Sequence, residues 1–264
     1  MLTQGRVSVG GNLCKIASRP IRPGEIIEIG PRRIIPDLPK GLEVLHEDGD
    51  ILVIKKPPGL LTVATIDEKE KTVYAYLRQY VRDCNPREKL FIVHRLDKFA
   101  SGILVFAKSE KVQSLLQRVF SRHKIERKYW AIVEGNVSKA LGTIHSYLAE
   151  DTSLRMRSTD NSKKGKLAIT HYRVLLRFRT ITTLEVTLET GRKNQIRAHL
   201  SEMGHPIVGD RAYGSLQDPL GRLGLHAFHL GFKHPVKGDP LVFRTDPPPE
   251  FVRYLPPESQ QQRA

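Results

Sequence analysis

Residues 182–189 alternate strictly, with Leu184, Val186 and Leu188 interleaved with Glu185, Thr187 and Glu189. That period of two buries one face of a β-strand. A second strand-like stretch, 169–178, ends just before it, so the two read as a long pair joined by a tight connection. Neighbours this close pair antiparallel, because a parallel return needs a crossover of a dozen or more residues. Shorter apolar strands are expected at 51–54, 91–93, 103–107, 128–134, 225–232 and 241–244. Helical spacing occurs at only a few places. These are 72–81, a stripe of Val112, Leu115, Leu116 and Val119 behind the capping residue Ser109, and 195–203 ahead of Gly204. Long strand pairs with few helices between them argue for an α+β fold with a largely antiparallel sheet flanked by helices. Regular βαβ alternation is missing, as are the G-x-G-x-x-G and G-x-x-x-x-G-K-[ST] phosphate motifs.

A chain of 264 residues fits one large domain with an appendage. Glycine and proline turns divide it into a small basic segment and linker over 1–40, a main domain over 41–257 and a polar tail over 258–264. Lys and Arg total 43 against 28 Asp and Glu, a formal charge of +15. Such an excess points to a polyanionic partner, nucleic acid first. Two cysteines, Cys14 and Cys84, form no disulfide framework and suit a reducing cytoplasm. No signal-peptide layout and no membrane-spanning apolar run is present, so no membrane partner is expected.

Two stretches carry candidate chemistry. In the loop His94-Arg95-Leu96-Asp97-Lys98-Phe99-Ala100-Ser101-Gly102, an acid sits among cations between apolar strands. A carboxylate there needs a partner, or else it only caps a turn. In Thr190-Gly191-Arg192-Lys193-Asn194-Gln195-Ile196-Arg197-Ala198-His199, basic groups gather at a helix start, where anions are favoured. Asn194 is the expected N-cap, and the forked guanidinium of Arg197 suits a carboxylate. His226 and His229 fall on opposite faces of one strand and make a poor metal pair. Trp130 falls opposite Tyr129 by strand parity and reads as core. Lys163, Lys164 and Lys166 read equally as a phosphate contact or a solvated loop.

Together these segments resemble the RluA-type pseudouridine synthases. The loop is similar to the family's H-R-L-D signature, which continues to T-S-G. Lys128 to Gly135 resembles its K-Y-x-A-x-V-x-G strand, and Gly191 to His199 its G-R-x-x-Q-I-R-x-H helix start. His205 to Gly214 resembles its H-P-I-x-G-D-x-x-Y-G turn, Leu225-His226-Ala227 its L-H-A strand, and Lys56-Pro57-Pro58-Gly59 its K-P-x-G turn. Two positions depart from the pattern: Ala100 stands for Thr and Asn194 for His.

The resemblance implies a pseudouridine synthase fold with a central RNA-binding cleft, acting on structured rRNA or tRNA as a monomer, without cofactor or metal. It implies that Asp97 is the catalytic aspartate, attacking sugar or base or abstracting a sugar proton. Tyr129 would stack on the uracil and Leu225 would pack on its other side. Arg197 would pair with Asp97 and keep it ionised. Arg95 would fill the space left by the flipped nucleotide. The segment 5–30 resembles the second half of an S4 RNA-binding domain. An RNA-binding protein without catalysis and a uracil-releasing glycosylase are the competing functions.

Overall fold

The computed structural model describes residues 6–14, 19–30, 38–122 and 124–259. Most of the expected linker, 31–37, and the end of the tail lie outside them. The first strands, β1 (Val7–Val9), β2 (Asn12–Leu13) and β3 (Ile27–Ile29), form a three-stranded antiparallel sheet of their own.

The remaining strands make one large sheet. After β4 (Glu43–Glu47) and β5 (Ile51–Lys56), the hydroxyl of Thr72 accepts from the Ala75 N–H and opens helix α1 (Val73–Cys84). Its buried stripe of Val73, Leu77, Tyr80 and Val81 rests on the sheet. Next come β6 (Phe91–Ile92) and β7 (Ser101–Ala107), then α2 (Glu110–Ser121). Ser109 caps α2 as its sequence predicted, accepting from the Val112 N–H. The chain continues through β8 (Glu126–Glu134), β9 (Leu141–Glu150), β10 (Met156–Thr159), β11 (Lys166–Arg177) and β12 (Ile181–Leu188). Helix α3 (Gln195–Glu202) precedes the last two strands, β13 (Leu225–Lys233) and β14 (Pro240–Arg244).

The sheet order is β10-β9-β11-β12-β8-β13-β7-β5-β4, with β14 added to β13 and β6 to β7. Every pairing is antiparallel except β13 with β7, which is parallel over His226–Ser101 and Ala227–Gly102. This is the α+β, mostly antiparallel architecture expected. Strands β4, β9 and β10 were not foreseen. Residues 141–150 are half exposed and rich in polar side chains, so no apolar alternation marks them.

The β13–β7 contact positions the site. Beyond its two residue pairs the strands diverge, β13 turning to β14 and β7 to β6. The segment between β6 and β7 lies at this fork. The contact is close: a Cβ at Gly102, whose φ is +120°, would stand 2.1 Å from the Ala227 carbonyl oxygen. Only glycine fits there. Ser101 accepts from Arg222 at 2.6 Å and bonds His226 Nδ1 at 2.7 Å, and His226 Nε2 reaches Thr245 at 2.9 Å. This buried network fastens the start of β7 to β13. Strand β8 splits by parity, Trp130 and Ile132 facing one cluster with Phe228 and Phe251, Tyr129 and Ala131 facing the other.

At the far end, Asp48 fastens the β4–β5 turn. It accepts from the Asp50 and Ile51 N–H groups at 2.9 Å and from His234 at 3.0 Å and Lys237 at 3.3 Å. Burial opposes its charge, yet the Asp50 and Ile51 N–H groups, with Lys237 and His46, hold its carboxyl well below the usual range. Asp48→Ala should therefore cost about 1–3 kcal/mol at neutral pH. The contribution is present above the unfolded Asp pKa of about 3.9 and fades as pH falls through the lower folded value. Denaturant unfolding should show the gap between wild type and variant narrowing below about pH 4. A gap that stays constant through that range would mean the carboxylate is not the stabilising form.

Candidate active site

Asp97 stands in the middle of the segment between β6 and β7, and both of its neighbours are clamped. Buried Thr62 donates to the Leu96 carbonyl at 2.7 Å and accepts from the Leu96 N–H at 3.2 Å. The fully buried Lys56 ammonium donates to the Lys98 carbonyl at 2.9 Å, and to those of Pro57 and Leu60 at 2.8 and 2.6 Å. Burial, with Arg222 adding to it, lowers Lys56 to about 7, and Asp97 opposes the fall. His94 accepts from the Val105 N–H at 3.1 Å through Nε2, standing in for a strand partner. Burial lowers its pKa to about 3, so the ring is neutral.

Five elements meet in a cleft of about 490 Å³. The Asp97 loop forms one wall. Tyr129 of β8 and Leu225 of β13 form the floor, and the segment 190–197 leading into α3 forms the opposite wall. The end of α2 closes one side with Gln117, Phe120 and Ser121. Tyr129 is 7% exposed and Leu225 4%, so both present apolar surface inside the cleft. Burial pushes the Tyr129 phenol upward. Arg95 is exposed at the rim.

Arg197 reaches Asp97, but only through one nitrogen at 3.5 Å. Its fork is spent on Asp210, with Nε and Nη2 both at 2.7 Å from the carboxylate. Nη1 also donates to Asn194 Oδ1 at 3.1 Å, and the guanidinium lies over the Tyr213 ring at 4.7 Å. The expected Arg197–Asp97 pair is present but secondary, and Asp210 is the principal partner. The ionised form of Asp97 is also less favoured than expected. Burial dominates and raises the Asp97 carboxyl above its ordinary value, with Arg197 and Arg95 only partly opposing. Asn194 stands at the N-cap position, but its side chain does not cap the helix. It adopts left-handed backbone at φ 49° and makes no cap bond, its side chain being given to Arg197. Gln195 holds the turn instead, accepting from the Arg192 N–H at 3.0 Å and the Thr190 hydroxyl at 2.8 Å, and donating to Thr170 at 2.9 Å.

The RNA pseudouridylate synthase profile matches residues 50–202, more than half of the chain and all of the cleft except Leu225. The chain belongs to the RNA pseudouridylate synthase family. It is 35% identical over 271 residues to an uncharacterized RNA pseudouridine synthase of Aquifex aeolicus, covering 95% of this chain and 85% of that one. It is 34% identical to ribosomal large subunit pseudouridine synthase D of Vibrio cholerae, with 95% and 82% covered. These full-length likenesses place it among the RluA-type enzymes. The solved structure of human RNA pseudouridylate synthase domain containing 4 superposes with a TM-score of 0.67 at 26% identity, over 80% of this chain and 91% of that one.

The synthase therefore brings all five expected site residues, Arg95, Asp97, Tyr129, Arg197 and Leu225, to one cleft. Lys163, Lys164 and Lys166 do not line it. No helix among the described residues is long and apolar enough to cross a membrane. Three residues of the synthase's site were not singled out: Lys56, Thr62 and Asp210. Lys56 and Asp210 lie in recognised motifs, and a lysine closing the apolar run 51–54 was the available signal for Lys56. Thr62 carries no signal at all. Its importance is local: Thr62→Val keeps the shape but strips both bonds from the buried Leu96 peptide. We expect a loss of about 2 kcal/mol in stability and a fall in kcat of about tenfold with KM little changed. Steady-state kinetics with unfolding curves check this, and an unchanged kcat would show that the loop needs no such clamp.

Proposed function

We propose that this synthase isomerises a uridine of large-subunit ribosomal RNA, with Asp97 as the catalytic carboxylate. The single observation behind the reading is the placement of Asp97, doubly clamped, beside a phenol ring and a leucine inside one positively charged cleft. Its relatives named as ribosomal large subunit enzymes support the choice of RNA. The reaction breaks the bond from ribose C1′ to uracil N1 and forms one from C1′ to C5. The hydrogen at C5 leaves and N1 gains one. No atom is lost, so the cleft must exclude water and retain the detached uracil. Tyr129 and Leu225 are placed to hold that ring between them, and stacking of this kind gives about 1–3 kcal/mol per base. A nucleotide must leave its stack to reach so enclosed a carboxylate, and Arg95 at the rim is placed to fill the gap. The catalytic unit is proposed as 41–257, acting as a monomer, with the small sheet of β1–β3 as an S4-like accessory.

The test is release of tritium from 5-tritiated uridine in transcribed large-subunit RNA, with pseudouridine mapped in cells with and without the gene. A site that disappears from that RNA supports the reading. Loss confined to tRNA would overturn the choice of substrate. Release of free uracil would identify a glycosylase, and no tritium release a non-catalytic binder.

A further inference from the structure

We propose that Arg127 binds a phosphodiester of the RNA, forming an anion subsite in the cleft wall next to Tyr129. The inference rests on the reading of the cleft as an RNA site and assigns a ligand to a group that reading leaves unused. Arg127 is 6% exposed yet lines the cleft. Its Nη2 donates to the carbonyls of Leu188 at 3.4 Å and Glu189 at 3.0 Å, and its guanidinium packs on the Phe120 ring at 5.4 Å. Nε is buried with no partner. Among the described residues no carboxylate lies within 4.0 Å of it. An arginine stays charged at any physiological pH, so this is a buried cation without a counter-ion.

Its surroundings deepen the deficit. Burial disfavours the Arg127 cation, Tyr129 partly offsets this, and the nearby charge of Arg192 disfavours it further. Gly191 packs directly against the guanidinium, since a Cβ there would stand 2.5 Å from Arg127 Nη1. A wall with two cations and no acid is complementary to a full negative charge, whereas the carbonyl of a neutral base would satisfy one hydrogen bond and leave the charge uncompensated. The spacing also fits. Arg127 and Tyr129 are two residues apart on β8 and face the same cleft, about 6.5–7 Å along the strand. That separation is of the order of one nucleotide, so a base on Tyr129 would carry a flanking phosphate toward Arg127.

The experiment measures binding of transcribed large-subunit ribosomal RNA against salt for wild type, Arg127→Gln and Arg127→Lys. Gln keeps a donor for the Leu188 and Glu189 carbonyls but removes the charge, and Lys keeps the charge. Melting temperatures verify that each variant is folded, and Lys serves as the folded comparison should Gln fail. Each phosphate neutralised contributes about 0.7–0.9 to the slope of log K against log salt. We expect Arg127→Gln to lower the slope by that amount and Arg127→Lys to keep it. If Gln keeps the wild-type slope, or Lys loses as much slope as Gln, the subsite is refuted while the RNA reading stands. A wild-type slope near zero would instead refute the RNA reading, and the subsite with it.

Discussion

Asp97→Asn should abolish pseudouridine formation, lowering single-turnover rates at least a thousandfold, about 4 kcal/mol of barrier. The amide matches the carboxylate in shape, but it is a poor nucleophile and a poor base. Its neighbours are held by Thr62 and Lys56, whose bonds go to backbone atoms and do not depend on the Asp97 side chain. Loop geometry and RNA affinity should therefore survive. Stability should not fall either. Burial raises the Asp97 carboxyl, so its ionised form is a burden on the folded state. The sign follows from linkage: a carboxyl with a raised folded pKa binds a proton more readily folded than unfolded. Its penalty is absent below the unfolded Asp pKa of about 3.9 and is complete above the folded value. Asp97→Asn removes that penalty, and Arg197 keeps Asp210 as its main partner. At neutral pH the variant should unfold at the same denaturant concentration as wild type or a higher one. The wild-type rate should also rise with pH through the folded pKa of Asp97, because only the ionised form can attack or abstract a proton. Turnover within about tenfold of wild type would remove Asp97 from the chemistry.

The sequence made the strand pair at 169–189, the three helices and the five cleft residues readable, because each depends on local periodicity or on a contiguous motif. What stayed hidden has a common physical character. Strand β9 is defined by its partner β11 and not by its own polarity. The clamps of Lys56 and Thr62 cross 42 and 34 residues of chain to reach backbone atoms, which no side-chain pattern encodes. Arg197 was matched with Asp97 alone for a related reason. Charge complementarity says that a buried guanidinium needs a carboxylate, but two were available, Asp97 and Asp210. The choice is made by the turn ending at Tyr213–Gly214, which brings Asp210 beneath the guanidinium and Tyr213 against its face.

That choice gives the second large expected effect. Arg197→Met should destabilise the synthase by about 3–5 kcal/mol, because it strands Asp210, whose side chain is only 2% exposed, without its cation. Asp210→Asn should cost less, since the amide oxygen still accepts one bond and Arg197 retains Asn194 and Asp97 as further acceptors. The decisive comparison is between two double-mutant cycles read by denaturant unfolding. With Asp210, the fork makes two bonds at 2.7 Å, and a coupling energy of several kcal/mol is expected. With Asp97, the single 3.5 Å contact to a carboxyl that burial already disfavours should give a coupling below about 1 kcal/mol. Arg197→Lys should restore only part of the loss, because an ammonium cannot span both carboxylate oxygens in a planar fork or lie flat on the Tyr213 ring. This division of labour separates structure from catalysis. Asp210 fixes the arginine, and the arginine presents one remaining N–H to Asp97, leaving that carboxylate under-compensated, as the proposed catalytic role requires. Equal coupling in the two cycles would mean that Asp97 is a full partner of the ion pair and not an under-compensated carboxylate.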